Sequence, residues 1–209
     1  MTAGQRDLVV LVADKNMEGA LRGLLSRPQA LGLKEFSHEL YVHPERDPGC
    51  FHRGHDFLKS FALRFAHSLV VFDREGCGQE AIERLVLETQ VEARLSSAGW
   101  KDRAAAVVID PELEIWVWND SPHVETVLEW DPKGLPLKDW LRQKGWLEAG
   151  RRKPTHPKAA VEEALRLARK PRSSAIYHQL AQRVSVERCE DPSFLKLREV
   201  LARWFSPPL

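Results

Sequence analysis

The sequence has few cysteines and no long apolar run. Its three cysteines, Cys50, Cys77 and Cys189, are odd in number and widely spaced, which gives no disulfide framework and suits a reducing compartment. The apolar segment LVVLVA near the start lacks the length and the flanking residues of a signal peptide or a membrane-spanning helix. We therefore expect a cytoplasmic protein that does not enter a membrane.

Several common catalytic signatures are also missing. The sequence contains no Walker loop, no GxGxxG, no GxSxG and no HExxH, which argues against P-loop nucleotide hydrolysis and serine hydrolase chemistry. Charge is not one-sided either, because 31 Lys and Arg residues face 30 Asp and Glu residues. A net charge of +1 gives no global attraction to nucleic acid and leaves room for a local basic patch.

What the first 120 residues do contain is an alternation of apolar runs and helical patterns. Continuous or alternating apolar residues predict strands over 8–12, 36–42, 68–72 and 104–109, and helical spacing predicts helices over 17–25, 57–65 and 81–95. Strands that alternate with helices require crossover connections. The pattern predicts an α/β domain over residues 1–120, with a mostly parallel four-stranded sheet flanked by helices.

Residues 121–209 differ, because prolines interrupt them and no further strand is convincing. Helical spacing predicts helices over 158–169, 173–182 and 194–204. We expect a helical appendage packed on the α/β domain.

Acidic residues follow three of the predicted strands. Asp14 follows the first strand, Asp73 and Glu75 follow the third, and Glu112 follows the fourth. Sites in parallel sheets gather at the carboxyl ends of the strands, and carboxylates at this spacing suit Mg²⁺ or Mn²⁺. The candidate metal ligands are therefore Asp14, Glu18, Asp73, Glu75 and Glu112.

Four of these five acids also have a purely structural alternative. Asp14 is placed to cap the first helix and Glu18 to lie in its first turn, while Asp73 could cap a turn. Glu112 would favour a helix N-terminus through the macrodipole alone. If a helix begins near there, Glu114 points about 200° away from Glu112, so one metal would not bind both.

The segment HPERDPGCFHRGH gathers histidines and a cysteine over residues 43–55. A zinc site is one interpretation, but no pair has a common finger spacing. A basic, glycine-containing loop that contacts phosphate through Arg46, Arg53 or His52 is an alternative, and so is a plain surface loop. A second basic segment, 144–172, is either a solvated helix face or a nucleic-acid contact through Lys153 and Lys158.

The order of these pieces resembles the Toprim fold, the small α/β domain of topoisomerases, primases and overcoming-lysogenization-defect nucleases. The pieces are LVVLVADKNMEGAL, SLVVFDREG, DPELEIWVWND, HPKAAVEEALR and VSVERCEDPSFLKLREVL. In this order they are most similar to a family of short bacterial Toprim-like proteins of unknown function, which are associated with phage-defence gene clusters and include a component of the methylation-associated defence system. Toprim domains hold magnesium with a strand-end Glu and an Asp-x-Asp motif, where this sequence has Ala13 with Asp14, and Asp73 with Glu75.

The resemblance implies metal-dependent phosphodiester chemistry. It predicts a magnesium-dependent nuclease in phage defence, with Asp73, Glu75 and Glu112 as catalytic metal ligands helped by Asp14 or Glu18. The alternative is a Toprim-shaped adaptor in a multi-protein defence complex, whose acids are relics and whose helical half is a docking surface. The seven tryptophans motivate this alternative, because aromatic residues are enriched at interface anchors.

Overall fold

Three mainly apolar runs and one alternating segment form the strands of one sheet in the computed structural model, which describes residues 5–119, 121–186 and 188–207. All neighbouring strands are parallel and the order across the sheet is β2-β1-β3-β4. The strands are β1 (Arg6–Val12), β2 (His38–Val42), β3 (Phe65–Asp73) and β4 (Ala104–Ile109). Because β1 and β3 are central, they are buried on both faces and their sequences are almost wholly apolar.

Helices connect the strands and then make up the rest of the described chain. The first three are α1 (Lys15–Leu25), α2 (Arg46–Lys59) and α3 (Arg84–Leu95). After β4 come α4 (Glu114–Val117), α5 (His123–Leu128), α6 (Leu137–Gln143), α7 (Pro157–Leu167), α8 (Ser174–Arg183) and α9 (Pro192–Phe205). A 3₁₀ turn covers Pro28–Leu31, and a π-type turn covers Ser96–Trp100 at the end of α3. No helix within the described ranges has both the length and the apolarity needed to cross a membrane.

The predicted fold class is confirmed. The protein is α/β, its four-stranded sheet is parallel throughout and flanked by helices, and helices follow at the C-terminal end. This arrangement is consistent with a Toprim-like sheet. The division into 1–120 and 121–209 stays a prediction, and residue 120 itself lies outside the described residues.

The prediction for residues 43–65 is wrong. The segment expected to be a loop contains α2, while Phe65, expected to end a helix, begins β3. Two glycines lie on this helix, although glycine usually disfavours a helix. A Cβ on Gly49 would lie 2.0 Å from Nδ1 of His43, so glycine leaves room there for the imidazole ring. A Cβ on Gly54 would lie 3.5 Å from a methyl of Leu11, which is an ordinary packing distance.

Close helix packing also joins the C-terminal helices to the α/β part. A Cβ added to Gly19 of α1 would lie 2.4 Å from the carbonyl oxygen of Ser174, and one added to Gly23 would lie 2.5 Å from that of His178. The backbones of α1 and α8 are therefore nearly in contact. Neither glycine would tolerate a side chain without a shift of α8.

The outer edge of β4 is covered by side chains from α3. The backbone N–H of Val108 donates to Oε1 of Glu88, and the N–H of Ala106 donates to Oε1 of Glu92, each at 3.0 Å. Lys196 of α9 donates to both carboxylates, at 3.1 and 2.9 Å. These contacts satisfy two outward N–H groups, those of Ala106 and Val108, on an edge strand that would otherwise be open to pairing.

Candidate functional site

The carboxyl ends of β1 and β3 and the first turn of α2 meet at one edge of the sheet. Asp14 follows β1, Asp73 ends β3, and Asp47 lies in the first turn of α2. The backbone N–H of Asp73 donates to Oδ1 of Asp47 at 2.8 Å, which fixes α2 against the end of β3. We call Asp14, Asp47 and Asp73 the carboxylate cluster.

Asp73 is the least satisfied acid of this cluster. Its Oδ1 is inaccessible to solvent and has no hydrogen-bond partner among the described residues, although the residue as a whole keeps some exposed surface. Burial raises the pKa of Asp73 well above its usual range, and the negative charges of Asp47, Glu114, Asp14 and Glu112 raise it further. A buried carboxylate without a counter-charge either takes up a proton or requires a cation.

Asp47 was not among the residues predicted from the sequence. Burial raises its pKa, and the charge of Asp14 adds to this, while the hydrogen bond from Asp73 and the charge of Lys158 act in the opposite direction. The sequence signal that could have located Asp47 is its place directly before Pro48 in a helix N-terminus. The loop prediction for this segment concealed that signal.

The structural alternative for Asp14 is confirmed. Its Oδ1 accepts a hydrogen bond from the N–H of Met17 at 2.8 Å, so Asp14 is the N-cap of α1. Its charge nevertheless contributes to the raised pKa of both Asp47 and Asp73. Asp14 therefore caps a helix and belongs to the cluster at the same time.

Glu18 has two basic partners on its own helix. Lys15 donates to Oε2 at 2.6 Å and Arg22 donates to Oε1 at 2.8 Å. Burial acts to raise the pKa of Glu18, but the bonds from Lys15 and Arg22 outweigh it and lower the pKa below its usual value. The position of Glu18 in the first turn of α1 matches the structural alternative considered for it.

Glu75 and Asp73 do not present their carboxylates in the same way. Glu75 is exposed, and its N–H donates to the carbonyl of Pro111 at 3.0 Å, which joins the loop after β3 to the segment after β4. Glycines at 76 and 78, both with positive φ, continue this loop, and both N–H groups donate to Glu80. Glu75 thus lies at the exposed rim of the site.

Glu112 forms an ion pair with Lys158 of α7. Their Oε2 and Nζ atoms are 3.0 Å apart. Burial raises the pKa of Glu112, with smaller contributions from Glu114 and Glu75, while Lys158 opposes the rise. For Lys158, burial acts to lower the pKa, but the pairing with Glu112 outweighs it and the pKa is raised. Lys158 is thus a charged base beside the carboxylate cluster.

Glu114 points away from Glu112, toward the C-terminal helices. Its Oε1 accepts from Arg172 at 2.5 Å and from the hydroxyl of Tyr177. Burial and then the charge of Glu114 raise the pKa of Tyr177, which keeps the hydroxyl protonated as a donor. The divergence of Glu112 and Glu114 was expected from helical spacing, although α4 begins only at Glu114.

The remaining predicted bases also have acidic partners. Lys153 lies 3.3 Å from Asp191, and Arg53 lies 3.3 Å from Glu45. The nucleic-acid contacts proposed for them stay predictions.

Few side chains that could bind zinc or magnesium are grouped together in the described residues. Cys50 is fully buried, and burial together with Asp47 and Asp73 raises its pKa well above the usual value, which disfavours the thiolate that a metal requires. Across the described parts of the chain, no three or more His, Cys, Asp or Glu side chains are grouped so as to hold a metal ion. The structure therefore offers, at most, a cation site with few protein ligands.

Comparisons with known proteins add no relative. No protein-family model, no curated protein and no solved structure matches the chain. The assignment of a function rests on the residues described above.

Proposed function

We propose that the protein is a magnesium-dependent nuclease, with manganese as the alternative ion, that hydrolyses phosphodiester bonds in cytoplasmic antiphage defence. The observation that carries the proposal is Oδ1 of Asp73, which is buried, has no hydrogen-bond partner among the described residues, and is acted on by the negative charges of four other carboxylates. Such an oxygen is a suitable ligand for a hard divalent cation.

The ligand set would differ from the one predicted from the sequence. Asp73 and Asp47 are the strongest candidates, because neither forms an ion pair with a basic side chain in the described residues. Asp14 lies close enough to act on both electrostatically. Mg²⁺ commonly keeps several waters and binds through one or two carboxylates plus substrate phosphate, so two or three acids suffice for the proposal.

The other residues have roles that follow from their positions. A bound divalent cation would polarise the phosphate and lower the pKa of an attacking water. Lys158, beside the cluster and 45% exposed, would bind a phosphate oxygen, with Glu112 holding its ammonium group in place. Glu75 at the rim would contribute through its charge, and Lys153 and Arg53 would contact the nucleic-acid backbone farther away.

Metal binding is the first test. We expect calorimetry to detect Mg²⁺ or Mn²⁺ binding to the wild-type protein and its loss in Asp73→Asn and Asp47→Asn. Glu163→Gln is the matched control, because Glu163 is a carboxylate on α7 whose ion pair in the described part of the chain is with Arg166 on the surface. Cleavage of single-stranded and duplex DNA and RNA should require the metal. It should be lost in Asp73→Asn and Asp47→Asn and retained in Glu163→Gln. Cleavage that persists in Asp73→Asn would contradict the proposal.

The adaptor is the second candidate function. The observation that favours it is the neutralisation of Glu18, Glu112 and Glu114 by bases, together with the lack of a three-ligand group in the described residues. Other defence-system proteins would then be its partners. A defence system that still protects cells from phage when it carries Asp73→Asn would favour the adaptor, whereas loss of protection with normal protein levels would favour the nuclease.

A further inference from the structure

The two edge strands of the sheet differ in whether their outward backbone groups have partners among the described residues. On β4, the outward N–H groups of Val108 and Ala106 donate to Glu88 and Glu92 of α3, as described above. At the opposite edge, β2 pairs with β1 on one side only. A sheet edge with unpaired backbone groups is a template for another strand.

The register of β2 shows which of its backbone groups face outward. Leu8 donates to the carbonyl of Ser37, and His43 donates to the carbonyl of Val12. Because alternate residues of a parallel strand bond to the same neighbour, residues 37, 39, 41 and 43 face β1. The backbone groups of His38, Leu40 and Val42 therefore face away from the sheet, and no described residue bonds to them.

Partly exposed aromatic rings lie on both sides of this edge. On one face of the sheet, Tyr41 packs with Phe57 and Phe61, whose ring centroids are 6.1 and 5.0 Å from its own. On the other face, Phe36 stacks on Phe205 at 4.1 Å. All five rings except that of Phe205 keep some exposed surface. A strand added at this edge would cover apolar area in addition to forming backbone hydrogen bonds.

The edge also lacks the usual protection against pairing. Natural edge strands are commonly guarded by lysine, proline or a bulge, and β2 has none of these over His38–Val42. Its one charged carboxylate, Glu39, is already satisfied by an ion pair with Arg6 and a 2.6 Å hydrogen bond from Tyr41. Nothing in the strand itself opposes a neighbour.

We propose that β2 pairs antiparallel with β2 of a second copy of this chain, so that the two sheets become one continuous sheet. The strand is self-complementary in this arrangement. With Leu40 on the two-fold axis, the outward groups of Leu40 bond to Leu40 of the second copy, and those of His38 bond to Val42 of the second copy.

The placement of the charged side chains supports a second copy of this chain as the partner of β2. The same register sets Glu39 opposite Tyr41 of the second copy, in a non-hydrogen-bonded pair with a Cα separation of about 4.5 Å. The two Glu39 carboxylates do not face each other, and each lies opposite an uncharged tyrosine whose hydroxyl already donates to Glu39 of its own strand. A pairing displaced by two residues would instead set Glu39 opposite Glu39 or leave outward groups unpaired, and like charges directly opposite are destabilising.

Amide hydrogen exchange gives a test that does not depend on any substitution. We expect alternate amides, those of His38, Leu40 and Val42, to gain protection as protein concentration rises from low to high micromolar. The amides of Glu39 and Tyr41, which face β1, serve as internal controls and should be protected at all concentrations. A dimer whose His38, Leu40 and Val42 amides exchange rapidly would overturn the proposal, as would a monomeric wild type at high micromolar concentration.

A charge pair at one position tests the register. Tyr41→Glu sets two carboxylates opposite each other at both symmetric positions, whereas Tyr41→Lys sets an ammonium group opposite Glu39. Both variants lose the same packing on Phe57 and Phe61, so they are matched. Sedimentation should show the dimer of Tyr41→Glu weaker than that of Tyr41→Lys by about tenfold. Equal dimer affinities in two folded variants would overturn the proposed register. The inference does not depend on nuclease activity.

Discussion

Among the described residues, buried acids are paired with bases at one place in the molecule and left unpaired at another. At the interface with the C-terminal helices, Glu88 and Glu114 are almost fully buried and each contacts a base from that part of the chain, Lys196 and Arg172 respectively. At the carboxyl ends of the strands, Asp73 has a buried oxygen to which no described residue donates a hydrogen bond. The first arrangement is satisfied within the described chain, whereas the second requires a proton or a cation from outside. The difference indicates that the interface acids stabilise the packing of the C-terminal helices, whereas Asp73 is left unsatisfied by the described residues.

Removing the base from a satisfied pair should have the largest effect. Arg172→Ala leaves Glu114 buried beside the hydroxyl of Tyr177 alone, and breaking a buried pair in this way typically costs about 3–5 kcal/mol. We expect a loss of that size in the free energy of unfolding, measured by urea denaturation. Arg166→Ala, which removes an exposed pair with Glu163, is the control and should cost about 0–1 kcal/mol. If Arg172→Ala and Arg166→Ala lost equal free energies of unfolding, the buried pair would contribute no more than the exposed pair, which would contradict the proposed contrast.

A smaller loss is expected at the β4 edge. Lys196→Met removes the ammonium group shared by Glu88 and Glu92 but keeps most of the apolar stem. Glu88 retains Arg84 at 2.6 Å and the N–H of Val108, so we expect a loss of about 1–3 kcal/mol, the range for a hydrogen bond to a charged group. Thermal unfolding of the two proteins measures it. A loss as large as that of Arg172→Ala would show that Arg84 does not compensate.

The unsatisfied acid should give an effect of the opposite sign. Because the pKa of Asp73 is raised in the folded protein, the folded state binds more protons than the unfolded state, and stability falls as pH rises above the unfolded value of about 3.9. Asp73→Asn removes this cost. We expect the variant to be more stable than wild type at pH 8, by about 1 kcal/mol or 2–4 °C in Tm, and nearly equal to it at pH 4.

The pH dependence and the metal should act together on Asp73. Saturating Mg²⁺ should raise the Tm of wild type at pH 8 and leave that of Asp73→Asn unchanged, since a ligand stabilises only the state that binds it. A variant that is less stable than wild type at pH 8 in the absence of metal would mean that Asp73 is already satisfied, and the contrast with Glu88 and Glu114 would disappear.

Parts of the site could be predicted from the sequence because they depend on strand ends. Asp73 was located from its position after a buried strand. Glu112 and Glu114 do diverge, but the helical spacing that predicted this does not apply, because α4 begins only at Glu114. The ligand set could not be completed in this way, because Asp47 lies on a helix that was predicted as a loop. Its contact with Asp73, whose N–H donates to the Asp47 carboxylate, joins residues that are 26 positions apart in the sequence.

The sequence by itself determined the α/β class, the four strands and the helical C-terminal part, because the period of the apolar residues encodes which faces are buried. Only the tertiary structure decided which charges are neutralised. Lys158 is 46 residues from Glu112 and Arg172 is 58 residues from Glu114, so neither pairing is visible in local spacing. It also decided that one sheet edge is covered and the other open. The reason in both cases is the same: local pattern fixes burial, whereas the partner of a buried charge or an edge amide is set by how distant segments pack.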